Sequence, residues 1–372
     1  MIAVEVFGVD HSASELAVFA AGWTIGWLLL WRRRELPRRH ISTEQPESAH
    51  LQRPAVAVVI PARDEAASLP HLLPPLMDQA RPGDRVVVVD DHSTDATADI
   101  ARAHGADVLD APQLQPGWRG KPNACWFGAT ETDQPILVFL DADVRPGPTL
   151  LDDLASRVAQ RPSAVVSMQP WHRMDTLAEQ PSILCNVTAL MGCGAFTVAG
   201  ERAAATVAFG PVIAVDRDAY LRAGGHACPD VRSRHTEDIA LARAVGESDL
   251  FVGRPGETTF RMYPGGLADL VRGWGRSLAT GARFTPWWLA LATAAWIASL
   301  AGGWIAAPLV YPLSAIQVAV LGRRAGTIRP AAAVLYPVLV VCFSIIFVRS
   351  AFAVVFGRQV TWKGRGVETR PG

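Results

Sequence analysis

The chain has 372 residues, half of them hydrophobic, and its acidic and basic side chains balance at 35 each. That length exceeds one small domain, and the balance leaves no global field to hold a nucleic acid. Five scattered cysteines (Cys125, Cys185, Cys193, Cys228, Cys342) without a C-x-x-C pair exclude a zinc ribbon or a disulfide framework and predict reduced thiols facing a cytosol.

The apolar excess sits at the two ends. Residues 14–31 are predicted as an N-terminal transmembrane anchor, because Leu16 to Trp31 is almost wholly apolar and Arg32, Arg33 and Arg34 follow at once. A cleaved signal peptide carries its charges before the apolar run. Here the order is reversed, which predicts a retained anchor with the following residues in the cytoplasm. Residues 32–53 are polar, contain proline and lack a hydrophobic period, so they read as a linker.

From Pro54 the pattern becomes that of an α/β domain, assigned to residues 54–262. Val56 to Ile60 is a short β-branched run, Arg85 to Val89 repeats it, and Ile136 to Leu140 is a third. Helical stretches are predicted around Leu69 to Gln79, from near Thr94, and over Ile239 to Val245. Buried strands alternating with helices predict an open, mostly parallel sheet, and such sheets bind ligands at the carboxyl ends of their strands.

Residues 263–283 carry Leu267, Leu270, Trp274 and Leu278 among spaced arginines, an amphipathic segment suited to a membrane surface. Residues 284–356 form a C-terminal transmembrane region of two or three spans. Phe284 to Leu321 is uncharged, enough for a hairpin of short helices or an interfacial helix plus one span. Arg323, Arg324 and Arg329 then make a basic loop before a further span at Ala331 to Phe347. A hairpin keeps that loop inside but sends the basic tail, residues 357–372, outside; a single span reverses both.

The chemistry-bearing residues cluster at strand ends. Asp90 and Asp91 follow the second strand; adjacent carboxylates repel unless donors such as those of a base and a ribose lie between them. The neighbouring Thr94 and Asp95 read equally well as helix caps. Asp141-Ala142-Asp143 places two carboxylates beyond the third strand, where a magnesium-type cation can bridge carboxylate and diphosphate oxygens. Gly117-Trp118-Arg119-Gly120-Lys121 offers close backbone approach and a point charge for phosphate. Glu237-Asp238 opens a helix after the glycine-rich, flexible stretch Gly224 to His235. It is either a favourable acidic first turn or a catalytic base.

Pro54 to about Arg276 resembles a family 2 glycosyltransferase with the GT-A fold. The resemblance is carried by Ile60-Pro61-Ala62-Arg63-Asp64-Glu65, Asp90 to Thr97, Gly120-Lys121, Asp141-Ala142-Asp143 and Thr236-Glu237-Asp238, in the family's order. It implies a Rossmann-like nucleotide-diphospho-sugar transferase domain, here flanked by transmembrane helices. It further implies that Pro61, Ala62, Glu65 and Asp91 hold uridine and its ribose, and that Lys121 and Asp141 meet the nucleotide diphosphate. Asp143 matches the principal ligand of Mg2+ or Mn2+, and Asp238, with Glu237 beside it, matches the general base. The family's Q-x-x-R-W motif is absent as such. Arg272-Gly273-Trp274-Gly275-Arg276 stands in its region, with Trp274 under the acceptor and Arg276 at the diphosphate as its expected roles.

Gly117 to Lys121, Arg261-Met262-Tyr263-Pro264, Gly273-Trp274 and Val360 to Arg365 also resemble a lipid-modifying branch. That branch contains the diaponeurosporenoate (carotenoid acid) and hopene-associated glycosyltransferases. The expected activity is inverting transfer of a sugar, glucose from UDP-glucose being the expected donor, to a carotenoid-acid or hopanoid-type lipid. The enzyme is expected to be a multi-pass protein of the cell membrane with its catalytic domain cytoplasmic and no nucleic-acid partner. A processive polysaccharide synthase would need more spans and an intact Q-x-x-R-W. A non-catalytic scaffold would not need the full carboxylate set.

Overall fold

The computed structural model describes residues 3–6, 9–38, 53–306, 310–356, 360–362 and 365–367. Most of the predicted linker and of the predicted basic tail lies outside them. The chain forms two compact units, one of residues 34–171 and 206–261, the other of residues 1–33, 172–205 and 262–372.

The first unit is built on a seven-stranded sheet. Its strands are β1 (Val56–Ala62), β2 (Arg85–Asp90), β3 (Asp107–Asp110), β4 (Ile136–Leu140), β5 (Val165–Gln169), β6 (Val212–Asp216) and β7 (Ser248–Val252). Their spatial order is β7-β5-β6-β4-β1-β2-β3, and only β6 pairs antiparallel, with β4 and β5 on either side. The near-continuous β-branched runs follow from burial on both faces. Val56, Val58 and Ile60 pack with the helices Leu69–Met77 and Leu150–Gln160, while Ala57 and Val59 face Gly120–Thr130 and Glu237–Val245. Gly128 sets the closeness of one helix. A Cβ there would stand 2.5 Å from Val59 Cγ1 and 2.9 Å from Val89 Cγ2, so Gly120–Thr130 lies hard against the sheet with Lys121 in its first turn.

The arginine run after the apolar N-terminal segment also has a structural task. Within the first unit, Arg34 reaches the buried Asp249 on β7 at 2.9 Å, and its guanidinium lies 5.2 Å from the centre of the Phe251 ring. Its carbonyl accepts from Val252 N–H at 2.8 Å. Arg157 holds the other Asp249 oxygen at 2.5 Å. Because Asp249 is sealed from water, each charged hydrogen bond to it is worth about 1.5–3 kcal/mol. Arg34→Ala is therefore expected to lower the unfolding midpoint of the detergent-solubilised protein. Arg38→Ala, at a half-exposed pair with Glu257, should leave it almost unchanged. Equal midpoints for the two variants would remove this role for Arg34.

The second unit is helical. Ala13–Leu29, Trp287–Ala306 and Val310–Ala325 meet around Gln317, which is fully buried. Its Oε1 accepts from Trp296 Nε1 at 3.0 Å and its Nε2 donates to the Trp23 carbonyl at 2.6 Å. One helix among the described residues, Tyr336–Val355, is long and apolar enough to cross a membrane; Ser14–Leu29 and Trp287–Gly302 are shorter apolar helices. The span expected at Ala331 to Phe347 begins later because Pro337 fits only in a first turn, so a short helix Pro330–Val334 precedes it.

Leu267–Ala282 is amphipathic as read from the sequence, but Leu270, Gly273, Trp274, Leu278 and Ala279 are covered by protein. Ala279 N–H donates to Ser350 Oγ of Tyr336–Val355 at 3.0 Å. Residues 172–205, placed in the α/β domain from sequence, belong to this unit. Their helix Ser182–Gly192 is buried on nearly every side among the other helices.

Candidate active site

Three parallel strands, β2, β1 and β4, end at one edge of the sheet, and the residues leaving them are laced together. Asp91 N–H donates to the Ala62 carbonyl at 2.8 Å. Thr94 N–H donates to Asp64 Oδ1 at 2.8 Å, Glu65 N–H to Thr97 Oγ1 at 2.8 Å, and Ala66 N–H to Asp95 Oδ2 at 3.1 Å. Asp64 and His92 adopt positive φ at 52° and 59°, conformations these cross-links hold in place. Asp95 thus joins two loops: burial pushes its carboxyl up, but the hydrogen bonds from Thr97 and the Ala66 amide together outweigh it and hold the carboxyl below the usual range. The helix expected from Thr94 starts instead at Thr97, because residues 93 to 96 are used in this lacing. Pro61 and Ala62 end β1, Asp91 is buried with Arg63 3.7 Å away, and Glu65 accepts from Ser68 Oγ at 2.8 Å. The four residues expected to hold a nucleoside share this edge.

Beside it lies a carboxylate cluster around one lysine. Lys121 Nζ is 2.6 Å from Asp141 Oδ1 and 3.0 Å from Glu237 Oε1. The side chains of Lys121 and Asp141 stay 27% and 30% exposed, so they are ringed by protein yet reachable from solvent. That surrounding protein mass pushes Asp141 up despite the lysine. Asp143 is pushed up to about 7 by burial first, then by Asp141 and Glu65. Asp238 reaches about 7 through burial and then Glu237. Lys121 is kept charged: burial opposes its charge, but Asp141 and Glu237 together hold it well above its ordinary range.

This arrangement bears on the metal implied by the sequence resemblance. Among the described residues no group of three His, Cys, Asp or Glu side chains is placed to chelate an ion alone. The donors are oxygen carboxylates crowded enough that one resists ionising, which suits a hard divalent cation completed by ligand oxygens. The residues present fit such an ion, and Asp143 is the residue expected to hold it.

The expected loop Gly224 to His235 is ordered rather than flexible. His226 is buried and its Nδ1 lies 2.9 Å from Tyr220 Oη, while burial takes its imidazole down to about 3. Arg119 donates from Nε to the Ser233 carbonyl at 2.7 Å, and Arg232 sits over the Trp118 ring. This segment leads directly into the helix Glu237–Val245 and fixes where its acidic first turn begins. Trp274 and Arg276 belong to the helical unit. Trp274 is buried and its Nε1 donates to Ser182 Oγ at 2.6 Å; Arg276, its charge disfavoured by burial, has no hydrogen-bond partner for Nε among the described residues. Sequence reasoning passed over Gly210, which no motif marks. It lies against both Asp238 and Lys121, and only a spatial contact reveals it.

Comparison with known proteins adds to this geometry. Residues 57–210 match the family model described as glycosyl transferase family 2. The 4,4'-diaponeurosporenoate glycosyltransferase of Staphylococcus haemolyticus (strain JCSC1435) is 31% identical over 334 residues, 84% of this chain and 88% of that protein. The protein of the same name from Staphylococcus aureus (strain MRSA252) is 31% identical over 365 residues, 91% of this chain and 93% of that protein. Among solved structures, the mannosyltransferase PcManGT from Pyrobaculum calidifontis, in complex with GDP-mannose and Mn2+, is similar with a TM-score of 0.53 at 18% identity. It covers 92% of this chain and is itself 97% covered, and at that identity the likeness speaks for the fold alone.

Proposed function

The chain belongs to glycosyltransferase family 2, with a GT-A-like fold, and from that premise we propose that it transfers glucose from UDP-glucose to a membrane-dissolved carotenoid acid. The observation that carries this is the Lys121 bridge: one cation joins Asp141, on the diphosphate side, to Glu237, next to the base. The names of the relatives at 31% identity, matched over most of both chains, support the acceptor class. Uridine and ribose would sit against Pro61, Ala62, Glu65 and Asp91, and the diphosphate would displace the carboxylates from Lys121. A Mg2+ or Mn2+ ion held by Asp143 would neutralise charge on the departing diphosphate.

The reaction is a single in-line displacement at the anomeric carbon, with inversion. The acceptor oxygen forms the new bond as the bond to the diphosphate breaks. Asp238 takes a proton where the acceptor has one to give. We place the enzyme in the cell membrane as a multi-pass protein with the α/β unit cytoplasmic. The helix Tyr336–Val355, of spanning length, supports the membrane location, and the Arg32 to Arg34 run supports the cytoplasmic side. The test is to incubate the detergent-solubilised full chain with UDP-glucose and 4,4'-diaponeurosporenoate and analyse products by mass spectrometry. A monoglucosyl ester is the expected product. A hopanoid glucoside from lipid extract, a polymer, or no sugar transfer overturns the acceptor assignment.

A further inference from the structure

We propose that Gly210 is a specificity-determining position: the side chain it lacks leaves open the space beside Asp238 into which the acceptor's attacking oxygen moves. The inference builds on the glycosyltransferase reading above. A Cβ on Gly210 would stand 3.1 Å from Asp238 Oδ2 and 3.4 Å from Lys121 Nζ. It would project between the carboxylate assigned to the acceptor and the cation assigned to the leaving group, nearer the former.

Two further features distinguish this glycine from one kept for a turn. Gly210 lacks the positive φ that disfavours an L side chain, so the backbone itself does not demand glycine. Its neighbours are also pinned. Phe209 N–H donates to Ser167 Oγ at 2.7 Å, and Ser167 Oγ–H donates to the Phe209 carbonyl at 3.0 Å, with Ser167 fully buried on β5. On the other side, Asp141 N–H donates to the Pro211 carbonyl at 3.0 Å. A methyl group at 210 therefore cannot be absorbed by retreat of the strap Phe209–Pro211. The atom that can yield is the Asp238 carboxylate, the end of a side chain, so the variant folds but the space for the attacking oxygen narrows. The narrowing bears on the approach of a carboxyl group carried on a rigid polyene, which has little freedom to reorient.

The experiment compares wild type and Gly210→Ala, as full chains in detergent, by UDP binding and by transfer to 4,4'-diaponeurosporenoate. UDP affinity should stay within about threefold of wild type, which reports a folded nucleotide site. Transfer should fall by about 100-fold, with a raised KM for the acceptor, the scale expected of a small misplacement at a reacting centre. Loss of UDP binding, unchanged transfer, or a fall in transfer with no change in the acceptor KM each overturn the role of Gly210. A wild type that turns over no nucleotide sugar overturns instead the reading beneath it.

Discussion

Asp143→Ala is expected to abolish sugar transfer, and excess chelator is expected to do the same to the wild type, reversibly on addition of Mg2+ or Mn2+. The diphosphate brings further negative charge to an edge that already carries Asp141, Asp143, Glu237 and Asp238 against Lys121, with Arg119 near Glu237. Without a divalent ion the leaving group meets carboxylates, so the loss should reach at least about 10³-fold, the scale of removing a principal electrostatic stabiliser. Stability should move the other way. The Asp143 carboxyl is raised from 3.8 to about 7 in the folded chain. Its contribution to stability is thus fully present below about pH 4 and is lost as pH rises through about 7. At pH 8, free of metal, the alanine variant should melt no lower than wild type. Retained activity in chelator, or a large fall in the melting midpoint of the variant, would contradict the assignment.

Asp238→Asn is expected to separate acceptors by their chemistry. An alcohol must surrender a proton during attack, so the variant should lose about 10²–10⁴-fold with any alcohol acceptor. Its wild-type rate should climb with pH through about 7, where the raised Asp238 carboxyl becomes a base. A carotenoid acid, with a reference pKa near ~4, is already ionised at neutral pH and needs no base. Below about pH 7 a protonated Asp238 can donate to that carboxylate; above it, the ionised form repels it. The wild-type rate with the acid should therefore fall as pH rises past 7, and Asp238→Asn should flatten this fall while keeping most of the activity. Equal, severe losses with both acceptor types would mean that Asp238 positions the acceptor in either case.

The strands β1, β2 and β4, the carboxylates that follow them and the helix opened by Glu237 are legible in the sequence because each depends on neighbours within a few residues. A β-branched run, a proline or a polar strand end declares itself locally. The two units, the packing of Leu267–Ala282 against Tyr336–Val355, and the hold of Arg34 on Asp249 are not legible in that way. They join residues far apart in the chain, and periodicity shows that a face is apolar without naming what covers it. The site has the same division. Asp141, Asp143, Glu237 and Asp238 can be picked out by type and placement. Their shared lysine, the raised pKa values of Asp141, Asp143 and Asp238, and the bare Cα of Gly210 beside them arise only when β6 inserts antiparallel between β4 and β5 and lays Phe209–Pro211 beside Asp141. Strand order is decided by the packing of the whole sheet, and no stretch of the sequence carries it alone.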